Sequence, residues 1–342
     1  MTSADTVLGK PNNDPPFDTL SSLIDSTSAE RTLFEARLAL VIPREPRSLY
    51  EPVRHVVAAG GKRVRPMLTA LAYKLSRHDD EWIDAAVAIE LLHTFTLVHD
   101  DIMDNAATRR GMPTVHAKFG TNEAILSGDV MIALAQQALS DHKGEHACDM
   151  LREFSQGFIK VCEGQAFDKD FEQRNDVTLE DYINMIDLKT AKVLETAAVL
   201  GALAAGKLSH VEPLRTFAHH VGLAFQIQDD LLDLTAGTAE FGKAIGGDIL
   251  EGKRTYLMLK LIERQSSLKG EERQRIDRVL ARNATNADIE VIRSTMREAG
   301  VLQETEAAVQ QHTDLALQAL GSIDADTTKL REFAEWLLKR SY

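Results

Sequence analysis

Cysteine is scarce in this 342-residue chain: there are two, Cys148 and Cys162, without metal-ligand spacing. That excludes a disulfide framework or a thiolate zinc site and fits a reducing compartment. The 11 histidines do not restore a zinc reading, because none stands in an HExxH pattern or pairs with a CxxC. An excess of basic charge is also missing. With 39 Lys and Arg against 52 Asp and Glu the formal net charge is −13, which argues against a surface that tracks polyphosphate, so no nucleic-acid partner is expected. The longest uncharged apolar-to-small run, TAAVLGALAAG at 196–206, falls far short of the ~20 residues a bilayer requires, so no membrane span is expected. The N-terminus lacks a basic segment followed by an apolar one, which argues against a secretory leader and makes the cytoplasm the expected location. Sustained period-2 alternation is absent too, and the fold class expected is all-α.

What is present is a soluble composition, 44% hydrophobic and 27% charged, able to bury a substantial core. The stretch 93–117, HTFTLVHDDIMDNAATRRGMPTVHA, puts Asp100, Asp101 and Asp104 at the end of an apolar run, with Arg109 and Arg110 close behind. On a helix the step from Asp100 to Asp104 is about 400°, so their carboxylates share one face roughly 6 Å apart, while Asp101 points about 100° away. Like charges so placed oppose helix formation, and desolvation adds to the cost. A divalent cation offsets both, and hard oxygen ligands suit Mg²⁺, which takes one or two carboxylates together with phosphate oxygens. Alone, such a cluster also reads as a solvated helix end. A second copy changes that: FQIQDDLLDL repeats the spacing with Asp229, Asp230 and Asp233, followed by Lys243 and Lys253.

Taken in order, residues 1–16 read as a flexible, proline-bearing tail, and helical periodicity begins at Phe17. A helix near 49–59 leads to Gly60-Gly61-Lys62-Arg63-Val64-Arg65-Pro66, where paired glycines permit a sharp turn and three cations surround it. Residues 80–105 read as one long buried helix that ends in the first acidic cluster, and carboxylates at a helix C-terminus are disfavoured unless a cation joins them. Residues 111–120 read as a loop, 124–140 and 147–171 as helices, and Thr178 to Asp181 as a capping start for a helix carrying Lys189 and Thr190. A helix at 211–234 delivers Gln226 and the second cluster, then a glycine-rich loop able to close over a substrate, then about four helices broken at Gly270, Gly300 and Gly321. For the two clusters to share metal ions, the helices must form one bundle.

DDIMD, DDLLD, GGKRVRP, RRGMPTVH and Lys189-Thr190 resemble, in order, the motifs of the trans-isoprenyl diphosphate synthases, from about Gly60 to Lys253. The resemblance implies a single-domain isoprenoid-synthase-type helical bundle over residues 17–342 around a deep central cavity, working as a homodimer. It implies condensation of isopentenyl diphosphate with an allylic diphosphate, with three Mg²⁺ ions held by Asp100, Asp104 and Asp229. Lys62, Arg65, His93 and Arg110 are implied for isopentenyl diphosphate, and Arg109, Lys189, Lys243 and Lys253 for the allylic diphosphate. Thr190 and Gln226 are implied to stabilise the allylic cation. Phe95 lies five residues before Asp100, and Thr96 four. The helical wheel puts Thr96 on the face of Asp100 and Phe95 about 140° away. In the family, one aromatic at the fifth position and a small residue at the fourth resemble the archaeal-type geranylgeranyl diphosphate synthases, which implies a C20 product, with farnesyl or longer products as alternatives. A terpene cyclase is disfavoured by the intact DDLLD and the basic loop. A non-catalytic prenyl-diphosphate-binding partner subunit is disfavoured because all the aspartates are kept.

Overall fold

The computed structural model of the chain describes residues 27–235, 246–268 and 270–338. The tail expected over 1–16, the first residues of the helical pattern from Phe17, and the part of the glycine-rich loop with Lys243 lie outside the described residues.

Helices α1 (Ser28–Val41) and α2 (Arg47–Ala58) are divided by Pro43 and Pro46. The Gly60-Gly61 turn has positive φ at both residues, and Arg63 at φ 52° leads into α3 (Val64–Lys74), with Pro66 in its first turn. Helix α4 (Ile83–Met103) is shorter than the expected 80–105. Asn105 turns left-handed at φ 50°, and the Ala106 N–H closes onto the Asp101 carbonyl at 2.9 Å, a Schellman-type ending. Where a loop was expected, β1 (Thr108–Arg109) pairs antiparallel with β2 (Met112–Pro113) through a left-handed Arg110-Gly111 turn, and α5 (Val115–Phe119) follows.

Helices α6 (Thr121–Ser140) and α7 (Ala147–Phe171) match their apolar patterns. The anticipated cap opens α8 (Leu179–Ile186): the Asp181 N–H donates to Thr178 Oγ1 at 3.1 Å, and the Thr178 N–H donates to the Asp181 carboxylate at 3.0 Å. The chain then passes through one π-helical turn, Asp187–Ala191, into α9 (Lys192–Ala204). Helix α10 (Val211–Thr235) carries the second acidic cluster, and α11 (Gly247–Leu250) is a single turn. The rest is α12 (Tyr256–Glu263), α13 (Gly270–Leu280), α14 (Asn286–Glu298), α15 (Val301–Ala319) and α16 (Thr328–Leu338). That is one helix more than the glycine breaks imply. The additional break is made by Arg282 at φ 55° and a Thr285/Asp288 capping box, neither of which involves glycine.

Helix α9 is buried at every position from Val193 to Ala204, as expected of a helix enclosed on all sides. Each fully buried Val or Leu contributes about 1.5–3 kcal/mol, which holds α9 firmly in the core. It packs against α3, α4, α7 and α10. Its small residues permit this: a Cβ on Gly201 would lie 2.8 Å from Ala72 Cβ, and Thr69 Oγ1 donates to the Ala197 carbonyl at 2.9 Å. The helices bearing the two acidic clusters, α4 and α10, therefore share α9 as their support. A smaller core around Leu231, Ile249, Leu257, Ile276 and Ile292 anchors the C-terminal helices to the end of α10. Among the described residues no helix is long and apolar enough to cross a membrane.

Candidate active site

The first acidic cluster sits at the C-terminal end of α4. Asp100 is half-buried, and burial pushes its carboxyl above the usual range; Asp104 and Asp168 add to that rise, and Lys189 and Arg109 oppose it. Asp104 is exposed and accepts a bond from Lys169 Nζ on α7 at 2.6 Å. Asp101 turns inward, buried, and meets Arg109 of β1 at 2.8 Å. The hairpin is thereby fastened to α4.

Lys189 and Thr190 stand on the π-helical turn, not on a regular helix as the pattern suggested. Two glycines make room for it. A Cβ on Gly164 of α7 would lie 2.8 Å from Lys189 Cα, and one on Gly222 of α10 would lie 2.5 Å from Ala191 Cα. The bulge is held between two helices at backbone contact, and Lys189 reaches Asp168 at 2.6 Å. Thr190 Oγ1 donates to Gln226 Oε1 at 3.1 Å, and Gln226 Nε2 donates to Asp230 at 3.2 Å.

In the second cluster Asp230 is the inward residue. It accepts from the Tyr182 hydroxyl at 2.5 Å and the Tyr256 N–H at 3.0 Å, and burial, with Asp248 adding, pushes its carboxyl up to about 7. Asp233 accepts the Asp248 N–H at 3.2 Å, and Asp229 is partly buried on the same helix. Lys253 pairs with Asp248 at 3.3 Å and Glu251 at 2.7 Å.

The basic loop is braced from below. Arg63, buried, binds Glu90 at 2.5 Å and Glu35 at 2.8 Å, which fixes the turn between Lys62 and Arg65. The Arg110 guanidinium donates to the Gly60 carbonyl. His93 is held well below its ordinary pKa by burial, reinforced by Arg65 and Arg110, so its imidazole is neutral.

Two cavities meet at the π-turn. A cavity of about 410 Å³ is lined by Arg65, His93, Phe95, Thr96, Asp100 and Lys189, among others. A polar cavity of about 190 Å³ is lined by Asp168, Gln226, Asp230, Asp248 and Lys253, and Lys189 and Thr190 line both. Phe95 and Thr96 thus reach the same space, although the wheel had separated them. Asp104 and Asp229 lie outside both linings, and Arg109 and Arg110 line a smaller cleft with Arg63 and Glu90.

Among the described residues one trio, Asp187, Glu195 and His219, brings its ligand atoms within 4.8 Å of one another, a spacing consistent with one Mg²⁺ ion. The chain's own cations meet that trio: Lys192 Nζ lies 2.9 Å from Glu195, and His219 Nδ1 lies 2.9 Å from Asp187 and 3.0 Å from Glu195. Hydrogen bonds donated to Asp187 and Glu195 raise the imidazole to about 9, so at neutral pH it holds the proton a metal would have to replace. The acidic clusters at the cavity mouths offer only carboxylate oxygens, and the burial of Asp100 is a cost that a bound hard cation removes. Those donors fit Mg²⁺.

Asp168 and Tyr182 were not among the residues singled out by sequence, and Arg63 was read only as one of three cations around the glycine turn, not as its brace. Asp168 had a faint signal, a DKD run closing an apolar helix, and Tyr182 had none.

The polyprenyl synthetase family matches residues 46–297 of this chain. The geranylgeranyl diphosphate synthase of Methanosarcina mazei is 34% identical, over 94% of this chain and 99% of that protein. The geranylfarnesyl diphosphate synthase of Natronomonas pharaonis is 33% identical, over 93% of this chain and 98% of that protein. The crystal structure of the geranylgeranyl pyrophosphate synthetase from Pyrococcus horikoshii Ot3 superposes with a TM-score of 0.87 at 32% identity, covering 94% of this chain and 99% of that one. With its all-α bundle, paired acidic clusters and matching motifs, the chain belongs to the polyprenyl synthetase family and is a prenyltransferase that condenses isoprenoid diphosphates.

Proposed function

We propose that the enzyme adds isopentenyl diphosphate to an allylic diphosphate, head to tail (1′-4), and stops at geranylgeranyl diphosphate, C20, releasing diphosphate at each step. The observation that carries the length is the buried Phe95 ring in the wall of the cavity that also holds Asp100, with the small Thr96 beside it. The name of the Methanosarcina mazei relative agrees with this reading.

Asp100, Asp104 and Asp229 would hold Mg²⁺, three ions by the family resemblance, and that charge would neutralise the departing diphosphate. The chain's own residues do the rest. Lys189 exchanges its pairing with Asp168 for the allylic phosphates, and Arg109, Lys243 and Lys253 add fixed positive charge. Lys62, Arg65 and Arg110 bind the diphosphate of isopentenyl diphosphate, with neutral His93 beside them. The Thr190 and Gln226 oxygens, oriented by the bond from Gln226 to Asp230, face the positive carbon as it develops. Released diphosphate accepts the proton, so no aspartate serves as a base. We assign the enzyme to the cytoplasm as a homodimer; exposed Ile125 and Leu126 on α6 and Ile159 on α7 support the pairing.

The test is incubation of the purified chain with Mg²⁺, isopentenyl diphosphate and each of the C5, C10 and C15 allylic primers, followed by sizing of the dephosphorylated alcohols. C20 should dominate from every primer. A main product of C15, or one beyond C20, overturns the length, and no condensation with any primer overturns the activity.

A further inference from the structure

Phe95 is held in place by two other rings. His99, one turn further along α4, has its ring centroid 4.5 Å from that of Phe95 at an interplanar angle of 54°. Phe158 of α7 meets Phe95 edge-on at 5.2 Å and 88°. Phe95 and His99 line the apolar cavity, whereas Phe158 stands behind Phe95, outside the lining.

The depths of these rings agree. At 1.5 Å per residue Phe95 lies about 14 Å below Asp104 along α4, and Phe158 lies about 16 Å below Lys169 along α7. Asp104 and Lys169 are bonded to each other at the mouth. The two aromatic rings therefore meet at one level and close the space between the helices.

His99 in turn occupies room that exists only because residue 128 has no side chain. A Cβ on Gly128 of α6 would fall on His99 Nε2 and lie 2.6 Å from its Cδ2. The ring lies against α6, with Nε2 3.4 Å from the Ile125 carbonyl. Any larger residue at 128 drives the imidazole off α6 and toward Phe95 and the cavity.

Building on the chain-elongating reading above, we propose that product length is set by the stack His99, Phe95 and Phe158, with Gly128 and Phe158 as positioning residues. Gly128 sets how far His99 withdraws from the cavity, and Phe158 stops the Phe95 ring from swinging away from the growing chain. Neither residue touches the acidic clusters, so both act on length and not on the chemistry of condensation.

The experiment compares the wild type with Gly128→Ala, Phe158→Ala, Gly128→Ala/His99→Ala and Phe95→Ala, using the C10 primer with Mg²⁺. Both the product sizes and the initial rate of the first condensation are read. Gly128→Ala should shift the product ratio toward the next shorter chain roughly tenfold, equivalent to about 1.4 kcal/mol, and removal of His99 in that background should reverse the shift. Phe158→Ala should lengthen the product as Phe95→Ala does, and the first-condensation rate of both positioning variants should stay within about twofold of wild type. An unchanged distribution in Phe158→Ala, while Phe95→Ala lengthens the product, overturns the proposal even if Gly128→Ala does not fold. A wild-type main product other than C20 corrects the proposed length only, because the shifts are scored against it. A wild type that condenses nothing overturns the activity and this inference together.

Discussion

The two acidic clusters share one spacing and differ in what surrounds them. In each, the middle aspartate turns inward and fastens helices, while its neighbours stay toward the mouth. Asp101 is fastened by a cation, with the half-exposed Arg109 at 2.8 Å. Asp230 is fastened by neutral donors alone, the Tyr182 hydroxyl, the Tyr256 N–H and the Gln226 amide, and it is driven up to about 7. A repeated motif therefore does not imply a repeated role: the middle carboxylates are structural joints of different strength, while of the outer ones Asp104 meets Lys169 and Asp233 accepts the Asp248 N–H.

The largest effect separates outer from middle positions. Asp100→Ala should lower turnover by at least about 10³-fold, some 4 kcal/mol of lost transition-state stabilisation, with no loss of thermal stability, since the carboxyl it removes is one that burial disfavours. Steady-state kinetics and a melting curve read the two quantities separately. Activity above a tenth of wild type, or a collapse of the fold, erases the distinction drawn here.

A smaller effect separates the two middle aspartates. Asp230→Ala strands the Tyr182 hydroxyl and the Tyr256 N–H in a buried setting, at a cost of about 3 kcal/mol. Asp101→Ala leaves Arg109, with 36% of its side chain exposed, free to turn to water, at about 1 kcal/mol. Denaturant titration of both variants measures the difference, and equal losses break the comparison.

Much of this was legible in the sequence because it rests on local pattern. The clusters, the Thr178 cap and the helix over Ala147–Phe171 follow from spacing and periodicity alone. What escaped is made by contacts between distant segments. The π-turn under Lys189 depends on Gly164 and Gly222, each of which reads in its own helix only as a weak helix former. Phe95 reaches the cavity because α4 and α7 wall it together while α4 packs on α9, and a wheel drawn on one helix cannot show two neighbours. The break at Arg282 was hidden because a left-handed turn at an arginine carries no glycine to mark it.

The sharpest form of the comparison is its pH dependence. Asp230 is raised from an unfolded value near 3.8 to about 7, so the folded state binds the extra proton between those limits. Stability is then fully present below pH 3.8 and falls as pH rises toward 7, with a slope of up to about 1.4 kcal/mol per pH unit for one proton. His219, raised to about 9, contributes stability present below 6.5 and lost as pH rises through 9, so its effect begins where the window of Asp230 is closing. Asp79 and Asp288 are both held below the ordinary carboxylate range, so their effect falls below pH 3.8. Between pH 4.5 and 6.5 the raised Asp100, Asp101 and Glu90 and the lowered His93 and His220 titrate as well, so the contribution of Asp230 is read there as a difference in slope between wild type and variant. Across that interval the stability of chelator-treated Asp230→Asn, which keeps an acceptor oxygen for Tyr182 without the charge, should rise with pH relative to wild type, because the falling contribution of Asp230 is removed. Asp101→Asn should change the slope less than Asp230→Asn, because Arg109 opposes the effect of burial on that carboxyl. A slope that survives in Asp230→Asn and vanishes in Asp101→Asn would reverse the assignment of the two joints.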